Sequence, residues 1–214
     1  MSIPCTHLHY TVSFTQDSLV ELGIALLSQE EYEESIEVFQ EALAMREKEA
    51  AGLQPDERGK VKLHIAKILN NIGCANFEFG ELDDAKEAFE EVLTIQQDCF
   101  DAGDFSSMPG YLATSSTICN LGCVYLEKAD WEKAIFQLEE GLKIQQNVLE
   151  PTNAVIMTTL EHIAYANIKY GCFDKAVIVS TSISLHEFIC ASAKMKRPHT
   201  FFPTISTTRT CITS

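Results

Sequence analysis

Basic side chains are scarce in this sequence. Its 214 residues hold 16 Lys and Arg against 31 Asp and Glu, a formal net charge of −15. A field of that sign repels polyanions, so nucleic acid is not an expected partner. No apolar run reaches the ~18 residues that would suggest a membrane-spanning helix, so no membrane association is expected. Residues Met1 to Gln16 lack Lys, Arg and any long apolar stretch, so they do not read as a secretory leader, and the expected compartment is cytoplasmic. Proline and glycine are few, six and ten, which leaves room for long helices. Also missing are a glycine-rich phosphate loop, a nucleophile elbow and a metalloprotease helix motif. The expectation is a chain that is not an enzyme and uses no cofactor.

What is present points to a folded chain, with 46% hydrophobic residues. The acidic excess is uneven. Residues 16–104 carry 22 acidic and 7 basic side chains, residues 105–193 carry 9 and 5, and residues 194–214 carry four basic and none acidic. Eight cysteines are expected to be reduced thiols, several of them packed as small hydrophobes. Cys119 and Cys123 lie one helical turn apart, but zinc normally takes four ligands presented from loops. His7 and His9 have no partner ligands nearby in sequence. No metal site is expected.

Self-similarity is the strongest signal. An apolar residue followed by a very small one recurs as Leu22-Gly23, Ile72-Gly73, Leu121-Gly122 and Ile163-Ala164. Nine residues after the small one stands Tyr32, Leu82, Trp131 or Phe173. Three further on stands Ser35, Ala85, Ala134 or Ala176. Glycine inside a helix costs about 1 kcal/mol against alanine, so its recurrence implies close approach of a neighbouring helix backbone. Gly80 and Gly171 mark turns between paired helices, with acids opening the second helix of each pair.

The second helices are amphipathic. Tyr32, Ile36, Phe39 and Leu43 share one stripe, as do Leu82, Ala85, Phe89 and Val92. Their opposite faces hold Glu33, Glu34, Glu37 and Glu41, or Asp83, Asp84, Glu87 and Glu91. The acidic excess therefore reads mainly as a solvated outer face rather than as an advertisement for a basic ligand. First helices are expected near 17–28, 58–79, 111–128 and 153–170, and second helices near 31–50, 82–99, 131–149 and 173–190. Linkers are expected around Pro55, from Asp101 through Pro109-Gly110, and at Pro151.

These columns resemble the tetratricopeptide repeat family. The small-residue column recurs at spacings of 50, 49 and 42 residues, longer than the family's usual ~34. In this it is similar to the extended variant of kinesin light chains. The resemblance implies an all-α solenoid of four helix-turn-helix pairs, forming a right-handed superhelix with a concave face. It divides the chain into an irregular segment 1–15, a repeat domain 16–193 (repeats near 16–52, 57–100, 108–150 and 152–193) and a basic, threonine-rich tail 194–214, expected to be disordered. It also implies a non-catalytic scaffold that holds a protein or peptide.

With the small residue counted as the eighth of its repeat, the resemblance puts the second, fifth, sixth, ninth, twelfth and thirteenth positions of the first helices on the groove. The candidate groove residues are Lys67, Asn70, Asn71, Phe77, Asn120, Glu127, His162 and Tyr165. Asn71 and Asn120 share the sixth position, where an amide can grip an extended backbone whatever its sequence. The carboxylate clamp of cochaperone repeats is not expected. Lys67 and Asn71 suit it, but Cys74, Ser116 and Cys119 stand where its polar grippers would be. The fourth second helix, with Val177-Ile178-Val179, lacks an acidic face and a capping helix, so self-association or end-docking through this repeat is the alternative role.

Overall fold

The computed structural model describes residues 16–54, 58–101, 108–150 and 153–181. Among the described residues run eight α-helices in four pairs. The first pair is α1 (Gln16–Ser28) with α2 (Tyr32–Gly52), and the second is α3 (Arg58–Phe79) with α4 (Leu82–Asp101). The third is α5 (Met108–Glu127) with α6 (Trp131–Val148), and the fourth α7 (Ala154–Tyr170) with α8 (Phe173–Thr181). Each helix packs chiefly on the next in sequence, which makes the stack an α-solenoid.

The turn inside each pair closes in one way. Glu30, Gly80, Ala129 and Gly171 all adopt positive φ, at 64°, 100°, 56° and 84°. The following N–H groups of Glu31, Glu81, Asp130 and Cys172 reach back to the carbonyls of Leu26, Asn76, Tyr125 and Asn167 at 2.8–3.1 Å. This is the Schellman closure, and glycine enters it without strain. Glu30 and Ala129 enter it at a cost of roughly 1–2 kcal/mol each. Asp130 accepts from the Lys133 N–H to open α6, and Asn153 accepts from the Val155 N–H to open α7.

Two sequence expectations are corrected. Pro109 and Gly110 belong to the first turn of α5, not to the linker, because a helix start needs no N–H from proline. The glycines of the small-residue column meet chiefly a side chain of the second helix, with backbone close only at Gly122, where Leu138 N stands 3.4 Å from the added Cβ. A Cβ on Gly23 would lie 2.6 Å from the Phe39 ring, one on Gly73 2.7 Å from the Phe89 ring, and one on Gly122 2.8 Å from Leu138 Cγ. A closer approach to backbone occurs at the next column, where Ser35 Oγ donates to the Gly23 carbonyl at 2.8 Å.

The interior forms two clusters that divide α3 and α4 between them. One gathers Leu19, Phe39, Ala42, Ala66, Ile68, Leu69, Ile72 and Val92. The other runs from Cys74, Phe77, Ala85 and Phe89 through α5 and α6 to Ile163 and Ala166. The acidic residues of α2 and α4, Glu33, Glu34, Glu37, Glu41, Asp83, Asp84, Glu87 and Glu91, are exposed, as the periodicity implies. No described helix is long and apolar enough to cross a membrane. The expectations for residues 1–15, 182–193 and 194–214, and for Cys5, His7, His9, Cys190 and Cys211, lie outside the described residues.

Candidate functional site

The candidate groove residues lie on the first helices α3, α5 and α7. Their side chains differ sharply in depth. Lys67 and Glu127 are exposed and Tyr165 is half-buried, with the Lys169 ammonium 5.4 Å from its ring centroid. Asn70, Asn71, Phe77, Asn120 and His162 are buried.

Two of the buried amides converge on one thiol. Asn70 Nδ2 donates to Cys74 Sγ across one turn of α3 at 3.9 Å, and Asn120 Nδ2 donates to the same sulfur from α5 at 3.7 Å. The oxygens of both amides are buried without a hydrogen-bond partner. Each such orphan costs about 1–3 kcal/mol, and these two belong to amides that share one sulfur. Asn70, rather than Asn71, is thus the α3 amide that shares an acceptor with Asn120. The ninth position of one repeat faces the sixth of the next, so like positions in an alignment are not the ones that touch.

The thiols here are held in the protonated form and are poor nucleophiles. Burial pushes all three up, Cys119 to about 12 and Cys74 and Cys123 well above the ordinary thiol range. The thiolate, not the thiol, is the nucleophile. Among the described residues no three His, Cys, Asp or Glu side chains gather as a metal site.

A second polar set joins the pairs and had no place among the expected groove residues. Gln96 Nε2 of α4 donates to Thr117 Oγ1 of α5 at 3.4 Å, and Thr159 Oγ1 of α7 donates to Gln145 Oε1 of α6 at 2.8 Å. Gln145 Nε2 also donates to Cys119 Sγ at 3.5 Å. All of these residues are buried. The repeated Ile-Gln-Gln at 95–97 and 144–146 was the available signal for this set.

The stacked pairs and the recurrent turn closure define a helical repeat protein of the α-solenoid class. The tetratricopeptide repeat profile matches residues 15–98 and again residues 115–148. The chain belongs to the tetratricopeptide repeat family. Among solved structures it is similar to nearly identical TPR-like repeats named for a kinesin light chain of Podosopora anserina. That match has 21% identity over 85% of this chain and 76% of the other, with a TM-score of 0.57, a likeness of fold. MamA aligns at 16% identity over 85% of this chain and 95% of its own, with a TM-score of 0.43. The sequence has no significant match among curated proteins.

Proposed function

We propose that this chain is a non-catalytic scaffold that holds an extended segment of another protein on the concave face of α3, α5 and α7. Tetratricopeptide repeats generally mediate protein–protein contacts, which supports the broad role. One observation carries the finer assignment: two neighbouring groove amides, Asn70 and Asn120, have oxygens without partners. N–H groups of a peptide backbone satisfy such acceptors, and the gain offsets part of the cost of parting α3 from α5 to admit it. Asn71 and Phe77 are buried on α3 and His162 on α7, so contact with a bound segment there also requires the helices to part. Lys67, Glu127 and Tyr165 are accessible for contacts with the side chains of the bound segment.

The test is affinity purification with mass spectrometry to identify a bound protein, repeated with Asn70→Ala plus Asn120→Ala. Retained helicity with at least about a tenfold loss of that partner fits a hot-spot role. Undiminished recovery sinks the groove assignment.

A second reading, self-association or end-docking through the fourth repeat, has its own support. Phe173, Val177 and Ile178 are large apolar side chains standing exposed on α8.

A further inference from the structure

One stripe on each first helix seats it on the pair before. Its members include the seventh and tenth repeat positions. At the seventh position Ile72, Leu121 and Ile163 are 7%, 3% and 2% exposed, and at the tenth Ala75, Val124 and Ala166 are all 0%. Helix α1 has no pair before it among the described residues. There Leu22 is 39% exposed, and Ala25 is open to solvent. The matching stripe on each second helix begins at the turn and continues four residues on. Tyr32 with Ile36, and Trp131 with Ile135, are partly covered in this way. On α8 the corresponding Phe173 and Val177 are 63% and 62% exposed. The two ends thus display the two halves of one seam.

Contacts at the existing seams fix the register between the halves. The Tyr32 ring lies 6.4 Å from that of Phe79, Asp83 pairs with Lys128, and Thr159 bonds Gln145. The turn end of a second helix therefore lies beside the last turn of the next first helix. The same register sets Phe173 beside Gln29, and Val177 beside Ala25 and Leu22.

We infer that a second copy of this chain supplies the missing half, with α1 of one copy seated head to tail on α8 of another. The inference rests on the end-docking reading and names its partner. Charge favours this pairing over its alternatives. Residues 16–104 carry 22 acidic against 7 basic side chains, so two such ends repel, whereas residues 153–181 carry two of each sign and set up no such repulsion. An interface between unlike ends leaves each copy with one face unused, so copies add in a row until a ring closes.

Analytical ultracentrifugation of the whole chain, from micromolar to about millimolar concentration, tests this, with circular dichroism as the fold control. The wild type gains mass with concentration. Ala25→Glu and Val177→Glu, both at exposed positions, each remain monomeric. Mixed one to one they form a dimer that grows no further, because each retains the face the other has lost. Should Val177→Glu lose helix, Phe173→Asn on the same stripe takes its place. Undiminished association of Ala25→Glu, or a mixture that stays monomeric, overturns the head-to-tail pairing and leaves docking through α8 standing. A wild type that stays monomeric throughout overturns both.

Discussion

The four helix pairs are joined by two kinds of seam. Between the second and third pairs, and between the third and fourth, a buried glutamine bonds a buried threonine: Gln96 with Thr117 and Gln145 with Thr159. Between the first and second pairs the same two positions hold Arg46 and Ile68. Ile68 joins the apolar cluster, while Arg46 turns to Asp17 at 2.8 Å and Glu49 at 2.9 Å within its own pair. One helix geometry therefore accepts either solution, but the two behave differently. A glutamine shifted out of register is left buried and unpaired, so the polar seams penalise misstacking. The first seam is apolar, and the exposed carboxylates that brace Arg46 make contacts that salt weakens.

The strongest way to break this contrast is to hollow each cluster in turn. Phe39→Ala and Phe89→Ala each remove a fully buried ring and cost about 3–5 kcal/mol. Hydrogen exchange after Phe39→Ala is expected to rise in α1 and α2 and to leave α5 to α7 protected. Phe89→Ala raises exchange widely, because α3 and α4 serve both clusters. Uniform loosening after Phe39→Ala would erase the distinction.

A smaller effect sharpens it. Thr159→Val keeps the shape of the side chain but leaves Gln145 Oε1 without its donor, at a cost of about 1–3 kcal/mol by denaturant midpoint. Adding Gln145→Leu recovers part of that loss. Arg46→Met costs under about 1 kcal/mol, and the cost fades in high salt. A reversed order of the two losses would show that the ion pairs dominate.

The smallest effect is a dependence on pH confined to the first half. Burial, then Arg46 and Lys67, hold the His64 pKa below its ordinary 6.5, against the raising influence of Asp17 and Glu49. Above pH 6.5 the imidazole is neutral in both folded and unfolded chains and contributes nothing. As pH falls below 6.5 the unfolded chain takes up the proton first, so stability declines until the folded form is protonated too. His64→Gln flattens that decline in melting temperature between pH 7 and 5. Equal slopes for the two proteins would remove His64 from the account.

Much of the fold was legible because it is local. Gly80 and Gly171, and the acids after them, placed the turns within a residue or two, since the closure involves neighbours in sequence. Helix α5 begins at Met108 rather than near 111, because a proline that ends one segment is equally suited to the first turn of the next. The glycine column was visible, but not that it receives Phe39, Phe89 and Leu138, since ring placement depends on the crossing of two helices. Of the candidate groove residues, alignment singled out Asn71 with Asn120. The structure instead joins Asn70 to Asn120 through Cys74. Alignment compares like positions, whereas the twist between successive repeats brings unlike ones together.

By itself the sequence determined four helix pairs, their amphipathic faces and the outward disposal of the acidic charge, because periodicity and turn chemistry act over a few residues. Only the tertiary structure decided which polar groups go under. Gln145, Asn120 and the Cys74 thiol are sealed by helices that lie tens of residues away in the chain. The exposed stripes of Leu22 and Ala25 on α1, and of Phe173 and Val177 on α8, are apolar by sequence like their counterparts elsewhere, Lys86 excepted. Their exposure follows from their place in the stack, since a repeat buries its seam only against a neighbour.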